Sequence, residues 1–332
     1  MSKPYFGGRP HITALLIDIS GTLHVGTTPT LNAVNSFHRL RESSTPFRLC
    51  SNTSKESSAS LLRRLEDMGF EVSPRTPKGD ARPGDRHATP QQLLWTSIAA
   101  AAQIVKSMHL KKPLLLLSES AREEVLAQLP QDKGDSRLAC GISNAHYDSV
   151  VIGLAPSCFD YDHLNAAFRV LKGEQKSATF NPDRSGAIPL IATHKAKYIQ
   201  TEDGLSLGPG PFVAALETAT GVSAHVVGKP SKAFFKMVIG DFKLAEPSDD
   251  PDQYGKIKPI NDGESQSSHR GKIAVIGDDV EADLGGGALE LGLWRVLVRT
   301  GKYRTGDETR AGVVPPDEIY DSFSDFVDSF LR

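Results

Sequence analysis

Four polar stretches, each closing an apolar run, carry residue types that handle phosphate and divalent cations: Asp18 after ALLI, Ser51-Asn52 after FRLC, Lys229 in VVGKP, and Asp278-Asp279 with Asp283 in VIGDDVEAD. Singly, each has a bland reading. Asp18 could be an Asx-turn, Ser51 or Ser54 a helix N-cap, Gly228-Lys229-Pro230 a surface turn, and Gly277-Asp278-Asp279 a turn before a helix cap. Together they form the set that phosphoryl transfer requires. Two carboxylates can hold Mg²⁺, a hard cation that takes oxygen ligands and keeps several waters. Lys229 offers a point charge for phosphate oxygens, the Ser51 hydroxyl and adjacent amides offer neutral donors, and Gly21 leaves room for close backbone approach.

These residues need strands to position them. Short continuous apolar runs recur at 13–18, 47–52, 113–117, 149–155, 189–193, 224–229, 273–278 and 295–301, which fits strands buried on both faces of a parallel sheet. Between them, Leu61, Leu62, Leu65 and Met68 follow a helical spacing that Gly69 can stop. The segment 212–221 places Val213, Leu216 and Glu217 likewise and ends in Gly221. The class is α/β, and ligands are expected beyond the carboxyl ends of the strands.

Segments 74–90 and 246–271 are rich in Pro, Gly, Ser and charge without apolar periodicity, so mobile surface insertions are expected there. The polar strand ends stop after the second strand and resume late in the chain. This suggests a discontinuous core at 10–77 and 206–332 with a second domain at 78–205 inserted between.

Composition narrows the partners. A net charge of -2 over 332 residues, with both signs scattered, gives no stripe for nucleic acid and no polybasic membrane patch. A small-molecule or peptide partner is expected. No run reaches the roughly 20 apolar residues of a membrane span, and no signal-like apolar region opens the chain. Three cysteines without CxxC spacing suit a reducing compartment and argue against sulfur-bound zinc. The expected location is the cytoplasm, with nuclear access left open. Gly285-Gly286-Gly287 lacks the spacing of a nucleotide loop and reads as close packing of a helix start, while His24, His38 and His146 read as helix-face or loop residues.

The stretches DISGTL, LCSNTS, VVGKP and VIGDDVEAD resemble motifs one to four of the haloacid dehalogenase (HAD) superfamily, in the branch with a large C2-type cap. The similarity spans nearly the whole chain outside the two insertions. It implies a doubly wound, Rossmann-like parallel-sheet core with an inserted α/β cap, and an Mg²⁺-dependent phosphatase working through an aspartyl-phosphate on Asp18. Mg²⁺ would be held by the Asp18 carboxylate, the Ser20 carbonyl and the Asp278 carboxylate. Asp279 and Asp283 would orient metal waters or Lys229 from behind those ligands. Asp18, Ile19, Ser20, Ser51, Asn52 and Lys229 would surround the phosphoryl group. C2 caps pair in dimers within the family, so a homodimer through the cap is an expectation.

One position departs from the pattern. Most phosphatases of this superfamily carry Asp where this chain has Ser20, and that Asp protonates the leaving atom and then activates water. A serine hydroxyl does not titrate near neutral pH, and a positioned acid/base contributes typically ~10²–10⁴-fold. Two expectations follow: an enzyme for substrates whose leaving group needs little help, such as phosphoramidates, acyl phosphates or pyrophosphate, or a slow protein kept for binding. The same D-I-S-G pattern in a phosphatase of P–N substrates favours the first. The cap stretch Thr193-His194-Lys195-Ala196-Lys197-Tyr198 is the candidate substrate reader, with His194 and Lys195 favouring acidic substrates, although an exposed basic loop is the blander reading.

Overall fold

The computed structural model describes residues 8–73, 92–129, 146–175, 187–201, 203–242 and 271–332. Segment 74–90 and all but Gly271 of 246–271 therefore lie outside the described residues. In chain order the strands are β1 (Ile12–Asp18), β2 (His24–Val25), β3 (Thr28–Pro29), β4 (Phe47–Ser51), β5 (Leu94–Thr96), β6 (Pro113–Leu116) and β7 (Ser149–Ile152). There follow β8 (Leu190–Ala192), β9 (Tyr198–Thr201), β10 (Gly204–Leu207), β11 (His225–Val226), β12 (Lys272–Gly277), β13 (Trp294–Val298) and β14 (Glu318–Tyr320).

Six strands form one sheet in the order β14-β13-β12-β1-β4-β5, parallel throughout. Alternate side chains of β1 explain why its sequence is apolar without interruption. Ala14 and Leu16 enter one buried cluster and Leu15 and Ile17 another, on opposite faces of the sheet. β12 divides in the same way, with Val275 on one side and Ala274 and Ile276 on the other. Helices cover both faces, as the continuous runs predict for a doubly wound α/β sheet. Among them, Ser58–Asp67 is capped by the Ser57 side chain and buries Leu61 and Leu65. Helix Gly210–Thr220 does not cover this sheet: it buries Val213 and Leu216 against β6, β7 and β8 and ends at Gly221 in the left-handed conformation.

A second parallel sheet runs β11-β8-β7-β6. Its strands are apolar on both faces too: Leu115, Val151 and Ile191 join the cluster shared with the first sheet, and Leu114, Val150, Ile152 and Leu190 join a third. All eight apolar runs read from the sequence contain strands.

The division between sheets differs from the one composition suggested. β5 lies at 94–96, inside the stretch assigned to the cap, yet pairs with β4. β11 lies at 225–226, inside the stretch assigned to the core, yet pairs with β8. Sheet membership therefore changes near 97 and near 226, rather than at 78 and 205. Buried strands of either sheet have the same apolar character, so composition marks strands without marking which sheet they join.

Candidate active site

Three neighbouring strands of the first sheet deliver the acidic and hydroxylic groups. The pairing sets Asp18 beside Cys50, one residue before Ser51, and Ile17 beside Ile276, two residues before Asp278. Lys229 arrives differently from the expectation of a fourth strand in the same sheet. It follows β11 of the second sheet, in the turn before helix Lys232–Gly240. Asn52 draws that turn to the first sheet, donating through Nδ2 to the Lys229 carbonyl at 2.8 Å and accepting the Lys229 N–H on Oδ1 at 2.8 Å. Asn52 thereby positions the lysine, and it also lines the cavity over Asp18, on the side expected to face the phosphoryl group.

The Lys229 ammonium is 1 % exposed and donates to Asp18 Oδ1, to Asp283 Oδ1 at 2.8 Å and to the Cys50 carbonyl at 2.9 Å. Burial alone would lower its pKa, but the Asp18 and Asp283 charges outweigh that and raise it. The other Asp18 oxygen accepts the Thr22 hydroxyl at 3.2 Å. Asp283 accepts the Asp279 N–H at 3.2 Å, so both its oxygens are engaged. Burial, and then the Asp18 charge, push its carboxyl up to about 6.

Asp18, Asp278 and Asp283 offer oxygens that all lie within 4.8 Å of one another. Asp278 is the one with room for a cation. Its Oδ2 accepts the Lys302 N–H at 2.6 Å, while Oδ1 is buried without any partner. Burial raises its pKa well above the ordinary carboxylate value against the pull of Lys302. A desolvated acceptor facing two other carboxylates fits a hard divalent ion. Gly21 is required here for a reason beyond room for substrate: its φ is +99°, and a Cβ there would sit 1.9 Å from Asp278 Oδ2.

A cavity of about 420 Å³ opens over these groups. It is lined on the first-sheet side by Asp18, Ser20, Ser51 and Ser54, and on the other side by Leu154, His194 and Ala196. Leu154 and His194 closely follow the carboxyl ends of β7 and β8, so the two parallel sheets aim their carboxyl ends at one space. Ile19 contributes only main chain, its side chain being fully buried in the core. Ser51 Oγ accepts the Thr53 N–H at 3.1 Å, leaving its proton free to donate.

The basic stretch 194–197 separates on folding. His194 is 3 % exposed and lines the cavity, and its pKa is pulled down to about 3 by burial and by Lys302 and Lys229. Lys195 turns aside to pair with Glu217 at 2.6 Å, and Lys197 pairs with Glu281 at 3.4 Å. Neither lines that cavity, and both line a smaller pocket of about 190 Å³ together with Lys229 and Asp279.

Sequence reasoning passed over three residues of the site. Lys302, largely buried, has its pKa raised by Asp278, Asp279 and Asp283 against desolvation. It follows directly on the run 295–301, where the polar residue after a strand end was the available signal. Thr22 lies beside Asp18 within the quoted DISGTL. His24, read as a loop or helix-face residue, is 3 % exposed on β2, lines the cavity and has an unpartnered Nδ1. Gly287 matches its expected role, because its N–H donates to the Pro230 carbonyl at 2.7 Å and a Cβ there would meet Lys232 Cα at 2.5 Å.

With this geometry described, comparison with known proteins is decisive. A family model described as haloacid dehalogenase-like hydrolase matches residues 15–129, and a second HAD-hydrolase-like model matches 226–326. Haloacid dehalogenase-like hydrolase domain-containing protein 2 of Mus musculus is 35% identical over 324 residues, covering 98% of this chain and 98% of its own. The chain belongs to the haloacid dehalogenase-like hydrolase family. Phospholysine phosphohistidine inorganic pyrophosphate phosphatase of Homo sapiens is 30% identical over 325 residues, or 97% of this hydrolase and 95% of its own length. The solved p-nitrophenyl phosphatase of Archaeoglobus fulgidus shares the fold with a TM-score of 0.68 at 23% identity, covering 96% of this hydrolase and all (100%) of that chain. No helix among the described residues of the hydrolase is long and apolar enough to cross a membrane.

Proposed function

We propose that the protein is an Mg²⁺-dependent phosphatase that works through an aspartyl-phosphate on Asp18. The observation that carries this is the gathering of Asp18, Asp278 and Asp283 beyond the carboxyl ends of β1 and β12, with Lys229 paired to Asp18 and Asp283 and with Asp278 Oδ1 buried and unpartnered. The residues fit the ion: the Asp18 and Asp278 carboxylates and the Ser20 carbonyl would hold it, and when bound it supplies positive charge that the phosphoryl oxygens and the nucleophile share.

Asp18 is set for attack by its neighbours. Lys229 fixes one carboxylate oxygen and Thr22 orients the other. An Asp18 oxygen forms the bond to phosphorus as the bond to the leaving atom breaks, and the electron pair departs with the leaving group. Water then cleaves the acyl phosphate, releasing orthophosphate and restoring Asp18. Lys229 and the Ser51 hydroxyl face the charge that builds on the phosphoryl oxygens. With Ser20 in place of an acid, the leaving atom receives little protonation from the protein, so phosphoramidates, acyl phosphates and pyrophosphate are favoured over alkyl phosphates.

The competing reading is a binding protein that turns over nothing. The test compares phosphate release with Mg²⁺ for wild type and Asp18→Asn. Loss of release in the variant supports the enzyme, whereas equal background rates assign the fold to binding.

A further inference from the structure

Ser54 lies three residues beyond Ser51 and is 1 % exposed, yet it does not cap the helix that follows, since Ser57 does so. The second sheet holds it from three directions. The Leu154 N–H donates to Ser54 Oγ at 2.7 Å, the Ser118 hydroxyl donates to the Ser54 carbonyl at 3.3 Å, and His194 Nε2 stands 3.4 Å from Ser54 Oγ. Gly153 permits this, because a Cβ there would lie 2.9 Å from the Ser54 Cβ.

The hydrogen-bond pattern fixes where the protons are. His194 Nδ1 accepts the Ala196 N–H at 3.3 Å, so the single proton of the neutral ring is on Nε2 and points to Ser54 Oγ. Burial keeps the ring neutral. Ser54 Oγ thus receives two donors, which fills both of its lone pairs. Its own O–H has no acceptor among the described residues. A serine hydroxyl is normally ambivalent, but this one can only donate, and it lines the cavity above Asp18.

We infer that Ser54 is a specificity-determining donor, made so by Leu154 and His194, that reaches an acceptor oxygen on the leaving portion of the substrate and favours pyrophosphate and acyl phosphates over phosphoramidates of alkylamines. The leaving side is assigned because Ser51 and Lys229 surround the phosphoryl position next to Asp18, while Ser54 lies further along the loop, where Leu154 and His194 of the opposite wall reach it. A diphosphate or carboxyl leaving group presents acceptor oxygens there. A departing alkylamine presents N–H and no acceptor oxygen, which leaves the Ser54 proton unpaired in a desolvated place and costs affinity. His194 acts through Ser54 and is a positioning residue. The inference rests on the phosphatase reading and narrows its substrate class.

The experiment measures binding without turnover, so that it stands apart from the test of catalysis. Pyrophosphate and orthophosphate are titrated calorimetrically, at fixed Mg²⁺, into the Asp18→Asn chain and into the same chain carrying Ser54→Ala, with melting curves confirming that both are folded. The expected result is a Kd for pyrophosphate raised about tenfold, which is ~1.4 kcal/mol, with orthophosphate changed less than about twofold. His194→Phe gives a second route that leaves Ser54 in place. It should weaken pyrophosphate several-fold and add little when combined with Ser54→Ala, because both act on one hydroxyl. Unchanged pyrophosphate binding, an equal loss for both ligands, additive losses, or no pyrophosphate binding by the Asp18→Asn chain would each overturn the assignment. Failure of the phosphatase reading shows separately, as turnover that survives Asp18→Asn.

Discussion

Replacing Lys229 by Met keeps most of the side-chain volume and removes an ammonium that touches both Asp18 and Asp283. Both carboxylates are buried, at 6 % and 3 % exposure, so neither can recover its solvation where it stands. Breaking a buried pair by removing one partner costs about 3–5 kcal/mol. The lost bond to the Cys50 carbonyl adds to that. The carboxyls can escape part of the cost by taking up a proton, which gives the prediction a signature. Asp283 already sits at about 6 through burial and the Asp18 charge, and losing Lys229 raises it further. A carboxyl whose folded pKa exceeds its unfolded value binds more protons when folded, so its stability contribution is present at low pH and is lost as pH rises through the folded pKa. The gap between wild type and Lys229→Met, read from urea midpoints without Mg²⁺, should therefore be smaller at pH 5.5 and widen to about 3 kcal/mol or more at pH 8. Adding Asp18→Asn should recover at least about 1 kcal/mol of the loss, since the two groups are in contact. A gap below about 1 kcal/mol at pH 8, or one that does not change with pH, would refute the account of Lys229 as the buried counter-charge.

Further outcomes follow from the same geometry. Ser20→Asp should raise hydrolysis of an aryl phosphate by a decade or more, toward the ~10²–10⁴ that a positioned acid contributes, and an unchanged rate would refute the missing-acid argument. Gly21→Ala, which drives a methyl into Asp278 Oδ2 at a φ of +99°, should abolish Mg²⁺-dependent thermal stabilisation, measured by melting with and without the ion. His194 and His24, held near 3 and 4 by burial, are neutral in the folded chain and protonated below about 6.5 when unfolded. They withdraw stability as pH falls below 6.5, by up to about 1.4 kcal/mol per pH unit each. The raised Asp278 and Asp283 carboxyls act in the opposite sense at acid pH, so the measurement compares the urea-midpoint slope between pH 6.5 and 5 in wild type and His194→Gln. A slope that the substitution leaves unaltered would contradict the buried neutral imidazole.

The sheets were legible because a strand buried on both faces needs an unbroken apolar run, and all eight such runs contain strands. The three-residue strand at 94–96 left too short a trace. Asp18 and Asp278 were legible from residue type at a strand end. Side-chain direction was not. The sequence places His194 and Lys195 side by side, yet one enters the cavity and the other pairs with Glu217 outside it. The two faces of Asn52, both bound to Lys229, depend on a turn 177 residues away. The polarity of Ser54 depends on Leu154 and His194, which reach it only once the second sheet is built.

The central claim is a covalent bond between Asp18 and phosphorus, and borohydride trapping tests it directly. Borohydride reduces an acyl phosphate to an alcohol, so quenching the enzyme during turnover of pyrophosphate should convert Asp18 to homoserine, detectable by peptide mass mapping of the segment that contains it. The account predicts that modification at Asp18 alone and only with substrate and Mg²⁺ present. Turnover that continues without it, or with the modification at another carboxylate, would contradict the account.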